Sequence, residues 1–312
     1  MLRPSSARTR RARVLAFAAP LALAAACGDA TPPVAPSDAP RLARIPNVRP
    51  TGTGIGVIGS NQRRSLQKIE YHGGAIMLAP TNVYLIWYGD WTTSSAGQIL
   101  IDFVSNLGGS SYLGINSLYL NAAGVGPANS LSYSGSIADS YSLGKSFSAS
   151  YEVGFIVAGA VATERLPADP DGIYVVFTSA DVDVPGFGTA YCGFHNTASS
   201  GGVTLKYVFV GHPANVPAKC QPQTVGPNGD AAADAMASVL ANEISNTITD
   251  PELTAWYDRF GLEQADKCAW TYGVTYTTPN GARANVRLGG YDYLLQQLWI
   301  PGTRGFCALA VP

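Results

Sequence analysis

The stretch at residues 240–270, LANEISNTITDPELTAWYDRFGLEQADKCAW, decides how the rest of the chain is read. It completes the strongest helical pattern in the sequence, expected over 230–249, in which Met236, Leu240 and Ile244 form an apolar stripe with Val239 and Ile248. Asp230 is placed to cap this helix and Pro251 lies just beyond its end. Inside it, Glu243 stands between Asn242 and Asn246, two positions four apart that share one helix face. A glutamate in that setting, with an acidic loop downstream, is the frame on which a zinc hydrolase mounts two imidazole ligands, a general base and a third ligand. Here both imidazole positions hold asparagine.

Working outward, NVYLIWY (82–88), GIYVVFTS (172–179) and LKYVFVG (205–211) are continuous apolar runs of the kind that form fully buried strands. Ile99, Leu100, Phe103, Val104 and Leu107 recur at helical spacing from about residue 94, and a further helix is expected near 151–163. Residues 121–151, rich in Ser, Gly, Ala and Tyr, read as short strands and loops, and a last strand near 293–299 closes the chain. The folded part is expected to start near Lys68, as one α+β domain over 67–312 with a mixed sheet and flanking helices.

The 312 residues carry 46% hydrophobic and 10% aromatic side chains, ample for a packed core and against global disorder. The formal net charge of −1 is misleading, because Arg3, Arg8, Arg10, Arg11 and Arg13 crowd the N-terminus. Without them 15 basic residues face 21 acidic ones, a balance with no electrostatic footprint for nucleic acid. Those arginines precede an apolar run at 14–26 that is too short to span a bilayer, so residues 1–26 read as an export signal. Small residues directly before Cys27 resemble a bacterial lipobox, although Ala24 stands where leucine is usual. Cys27 is then the lipidated first residue of an outer-membrane protein, with cleavage near Ala26 and release as the alternative. Arg10 and Arg11 suggest twin-arginine export less well, since Arg13 occupies a position that calls for a hydrophobic residue. Residues 28–66, rich in Pro, Gly and small polar side chains, suit a tether. Membrane attachment, on this reading, is through the lipid alone.

Four further cysteines, Cys192, Cys220, Cys268 and Cys307, are an even number in an exported chain and point to two disulfides. Three pairings are open, and sequence order favours Cys192 with Cys220 and Cys268 with Cys307.

Several blocks resemble the EXORDIUM or phosphate-induced protein family. They are YHGG (71–74), NVYLIWYGDW (82–91), LGKS (143–146), LPADPDGIYVVFTSADVDVPGF (166–187), CGFH (192–195), PNGDAAADAMASVLANEI (227–244) and the region of Cys307. They run in order from about residue 70 to the C-terminus, and with the lipobox they suggest a bacterial member. The resemblance implies a secreted protein of the kind associated with cell walls and growth, with no settled biochemical activity. The family pattern on the long helix reads H-E-x-x-E, followed by an E-I-x-D-x-C block. Carried over, the histidine falls on Asn242, the general base on Glu243, the second acidic position on Asn246 and the last block on Glu263, Asp266 and Cys268. This chain keeps Glu243 and departs at both flanking positions. Asp266, twenty residues after Asn246, is spaced to serve as a downstream carboxylate ligand. A carboxamide is a neutral, hard oxygen donor, better suited to calcium than to zinc. No cofactor is expected, and calcium or zinc are the ions to test.

Other motifs carry less. Gly54, Gly56 and Gly59 spell G-x-G-x-x-G without the preceding strand that dinucleotide binding requires. Asp250, Glu252, Asp258, Glu263 and Asp266 do not follow the EF-hand spacing and read as a solvated acidic loop. His195 and Asp181 lie in family-like blocks at or after strands and are candidates for a shared site, while His72 and His212 read as structural or exposed. No G-x-S-x-G elbow occurs. Trp87, Trp91, Trp256, Trp270 and Trp299, with 16 tyrosines, leave a carbohydrate-binding groove open. The resulting expectation is an exported, catalytically degenerate, zincin-like scaffold that binds an envelope or extracellular ligand, with polysaccharide as the candidate. A metal-dependent peptidase or hydrolase using Glu243 and a glycan-binding module are the alternatives.

Overall fold

A computed structural model describes residues 68–312. The export signal, Cys27 and the tether lie outside these residues. Strands β1 (Thr81–Tyr88), β2 (Leu131–Asp139), β3 (Gly172–Thr178), β4 (Gly193–Ser200) and β5 (Val203–Gly211) form a five-stranded sheet in the order β2-β1-β3-β5-β4. The first four in that order run parallel, and β4 joins β5 as an antiparallel hairpin. The central mixed sheet with flanking helices is as the sequence implied. Helices alternate with strands rather than standing apart from them, so the arrangement is α/β in character.

The parallel order follows from burial on both faces. β1, β3 and β5 are apolar along nearly their whole length, which requires a cover above and below. On one face, helices α1 (Ala96–Leu107) and α3 (Ala231–Thr249) pack on Val83, Leu85, Ile173, Val175, Val208 and Val210. On the other, α2 (Val153–Ala162) packs on Ile86, Val176, Tyr207 and Phe209. Asp230 caps α3 by accepting from the Ala232 and Ala233 amides, as its position in sequence suggests. The apolar stripe understated α3, however, because every residue from 233 to 249 is buried.

Three readings need correction. Residues 131–139 form one nine-residue strand, with a register shift between Tyr133 and Gly135, not short pieces in a loop; its alternating exposure marks the edge it occupies. β4 is a strand where the sequence shows no apolar run, because its HNTASS portion is largely polar. The expected final strand at 293–299 is broken: Tyr291–Tyr293 and Leu298–Ile300 each belong to small hairpins outside the main sheet, the latter with Phe306–Ala308. Cys192–Cys220 and Cys268–Cys307 are the disulfides, in the favoured pairing. Among the described residues no helix is long and apolar enough to cross a membrane.

Gly193 at the start of β4 allows α3 to approach the sheet. A Cβ there would lie 2.6 Å from Val239 Cγ1, 2.8 Å from the Phe209 carbonyl oxygen and 3.2 Å from Glu243 Cγ. Backbone cannot yield to such overpacking, so Gly193→Ala is expected to lower the unfolding free energy by about 1–3 kcal/mol in urea denaturation. An unchanged midpoint would show that α3 has slack against β4.

Candidate functional site

α3 delivers Asn242, Glu243 and Asn246 to one place. Because the helix has no exposed face, all three are at most 1% exposed. Opposite, β4 contributes His195, inward-facing and 4% exposed. The third wall is the segment leading into the short 3-10 turn Asp266–Cys268, which supplies Glu263 and Asp266 and is fixed by the Cys268–Cys307 disulfide. The next residue, Lys267, is also buried: its ammonium pairs with Asp258 at 3.2 Å and lies 4.7 Å from the centre of the Trp299 ring. The acidic segment is therefore not a solvated loop. Asp250, Asp258, Glu263 and Asp266 are all at most 5% exposed, and only Glu252 faces solvent.

His195 lies between two carboxylates. Nδ1 is 3.5 Å from Glu243 Oε2, while Nε2 is 3.3 Å from Glu263 Oε1 and 3.2 Å from the Asp250 carbonyl oxygen. Burial disfavours the imidazolium, but Glu263 and Glu243 on either side more than offset that penalty and hold it well above its ordinary pKa. Burial raises the carboxyls in turn, Glu263 to about 8 against the pull of His195, and Asp266 to about 7 with repulsion from Glu243 added.

The asparagines link the other half. Asn246 Nδ2 donates to Asp266 Oδ1 at 3.2 Å and more weakly to Asn242 Oδ1 at 3.4 Å, and Asn246 Oδ1 accepts the Ala265 amide at 2.8 Å. The predicted ligand set Asn242, Asn246 and Asp266 therefore does converge, with Glu243 and His195 beside it. The carboxamides do not fit a transition metal: their donor strength is low, and the Asn246 oxygen already accepts from the backbone. Among the described residues no group of three or more His, Cys, Asp or Glu is placed to hold a metal ion. What the cluster can do as it stands is share protons in the interior.

Asp181 is elsewhere. It sits past the end of β3, where its carboxylate accepts from Ser179, Tyr141 and Lys145, and no hydrogen bond or ion pair joins it to His195. His72 stacks on Tyr257 with ring centres 3.8 Å apart, and half-buried His212 accepts from the Ala214 amide. The sequence places Glu263 in a family block and in the acidic loop; its pairing with His195 across 68 residues has no local signal.

Fold and site together define an α/β protein with a sealed imidazole–carboxylate cluster on its core helix. The chain belongs to the EXORDIUM/phosphate-induced protein family: residues 69–307 match the family profile described as the Phosphate-induced protein 1 conserved region. It is 31% identical to Protein EXORDIUM-like 3 of Arabidopsis thaliana over 275 residues, covering 75% of this chain and 81% of that one. Protein EXORDIUM-like 5 of the same plant is 28% identical, with 77% of each chain covered. Protein PHOSPHATE-INDUCED 1 of Nicotiana tabacum is 29% identical, with 76% of this chain and 87% of the relative covered. No solved structure matches the chain. These relatives are plant proteins, so they lend no support to the bacterial membership suggested by the lipobox.

The raised carboxyl pKa values fix a sign for pH dependence. Glu263 and Asp266 bind protons more tightly folded than unfolded, as does His195. Stability is fullest below the unfolded carboxyl range and is lost as pH rises through the folded values. The urea midpoint is therefore expected to fall between about pH 5 and about pH 9, with a shallower fall in Glu263→Gln. A midpoint that climbs over this interval would contradict the proton-sharing description.

Proposed function

We propose that the chain is an exported EXORDIUM-type protein whose zincin-like scaffold is catalytically silent and which acts by binding an envelope or extracellular ligand. One observation carries the silent reading. The Asn246 amide group occupies the position between Asn242 Oδ1 and Asp266 Oδ1 and donates to both, as a ligated cation would attract both. Hydrogen bonds thus substitute for a metal, and Glu243 is left without a metal-activated water to deprotonate. A mixed sheet with β4 antiparallel at its edge, facing a helix that bears Asn242-Glu243-x-x-Asn246, supports the zincin-like outline. Two disulfides are consistent with an oxidising compartment and hence with export. Anchoring through Cys27 and a bacterial origin rest on the N-terminal sequence.

The assay is metal content together with hydrolysis. The purified exported chain should hold no stoichiometric zinc, whereas Asn242→His combined with Asn246→His should take up about one equivalent by completing a set with Asp266. Stoichiometric zinc in the unaltered protein, lost along with a hydrolytic activity in Glu243→Gln, would establish the enzyme reading instead.

A further inference from the structure

The connections of the sheet create a second location. α1 links β1 to β2 across one face and α2 links β2 to β3 across the other, so the strand order reverses between β1 and β3. Open α/β sheets bind ligands in the crevice that such a reversal opens beyond the carboxyl ends of the strands. β1 and β3 end abreast, with Tyr88 opposite Thr178, and the Ser179 amide donates to the Tyr88 carbonyl. Gly89, with φ of +104°, brings the chain so close that a Cβ would lie 1.9 Å from Ser179 Oγ.

A connected set of side chains occupies this end. Asp181 accepts from Lys145 Nζ at 2.6 Å, Tyr141 OH at 2.8 Å and Ser179 Oγ at 2.6 Å, and Lys145 lies over the Tyr141 ring. Tyr141 holds φ of 61°, a left-handed conformation that bulky residues seldom adopt. The Asp90 amide donates to Ser179 Oγ, and the exposed Asp90 carboxylate at the same end accepts the Thr92 amide and hydroxyl on Oδ1. Half-buried Trp91 follows, edge-on to His212, and Leu143 is exposed nearby on the loop after β2.

These groups discriminate among ligand classes by charge. An anion would meet Asp90 and Asp181 against Lys145 alone. A cation would meet Lys145, with Asp181 already accepting from three donors and Asp90 Oδ1 from the Thr92 amide and hydroxyl. A neutral polyhydroxylated molecule matches, because each hydroxyl can accept from the ammonium and donate to a carboxylate, while an indole offers apolar area with little entropy to lose. We propose that the crevice at the carboxyl ends of β1 and β3 binds a neutral glycan, with Lys145 and Asp90 engaging its hydroxyls and Trp91 lying along a sugar ring. Asp181 is a positioning residue that holds Lys145 and Tyr141. This rests on the ligand-binding reading above and gives that ligand a chemical class.

The test is calorimetric titration of the full exported chain with cello-, xylo-, manno- and chito-hexaose, beside inorganic phosphate and calcium chloride. At least one neutral oligosaccharide should bind, and Lys145→Ala, Asp90→Asn and Trp91→Ala should each weaken it by about tenfold or more, with Lys68→Ala unchanged. Circular dichroism checks that each variant folds. Binding by the unaltered chain that all three crevice variants retain would overturn the location while leaving a ligand-binding function in place. Binding of none of the hexaoses, or crevice-dependent binding of phosphate or calcium instead, would overturn the glycan. None of these outcomes bears on the silent reading, which zinc content and Glu243→Gln decide.

Discussion

Glu243 lies in the middle of a helix with no exposed face, and much of the molecule is arranged to make that tolerable. An isolated carboxylate in such a place is costly enough that it must be paired or protonated. Both remedies are used. His195 from the edge strand carries positive charge between Glu243 and Glu263, and the proton affinity of Asp266 and Glu263 is raised toward neutrality. The disulfides bear on the same segments. Cys192 immediately precedes the strand that brings His195, and Cys268 ends the turn that brings Asp266. Gly193, between Cys192 and His195, is what lets α3 close on them.

Asparagine at 242 and 246 then has a physical logic of its own. A carboxamide is donor and acceptor at once, so Asn246 can satisfy Asp266 on one side and the Ala265 amide on the other with no net charge. The asparagine thereby braces the core helix against the loop that follows it.

The fold was readable where burial dominates. β1, β3, β5 and α3 are long apolar segments whose type and approximate limits follow from the residues alone. The edge strands β2 and β4 were obscured by serine, glycine and asparagine, because an edge leaves side chains free to be polar and its pairing is set by neighbours distant in sequence. The same nonlocality hid the burial of Asp250, Asp258 and Glu263. A run of acidic residues is normally solvated; here His195 and Trp299 arrive from elsewhere, while Lys267 and the backbone amides of Thr254, Ala255, Phe260 and Leu262 within the segment itself satisfy Asp250 and Asp258. The two-asparagine departure was visible at once, since it depends on helix spacing and donor chemistry.

The two polar centres differ in one respect that separates their roles. Around His195 every charged group is enclosed, so what is gained there is cohesion between α3, β4 and the 263–268 turn. At the carboxyl ends of β1 and β3, Lys145 and Asp90 remain open to water although Asp181, Ser179 and Tyr141 hold the array in a single geometry. Exposed ion pairs contribute little to stability, so an ordered one with a left-handed tyrosine beside it is poorly explained by folding alone. A rigid core with a solvent-facing array at the point of strand reversal is a division in which the interior fixes the scaffold and the crevice is left to meet a solute.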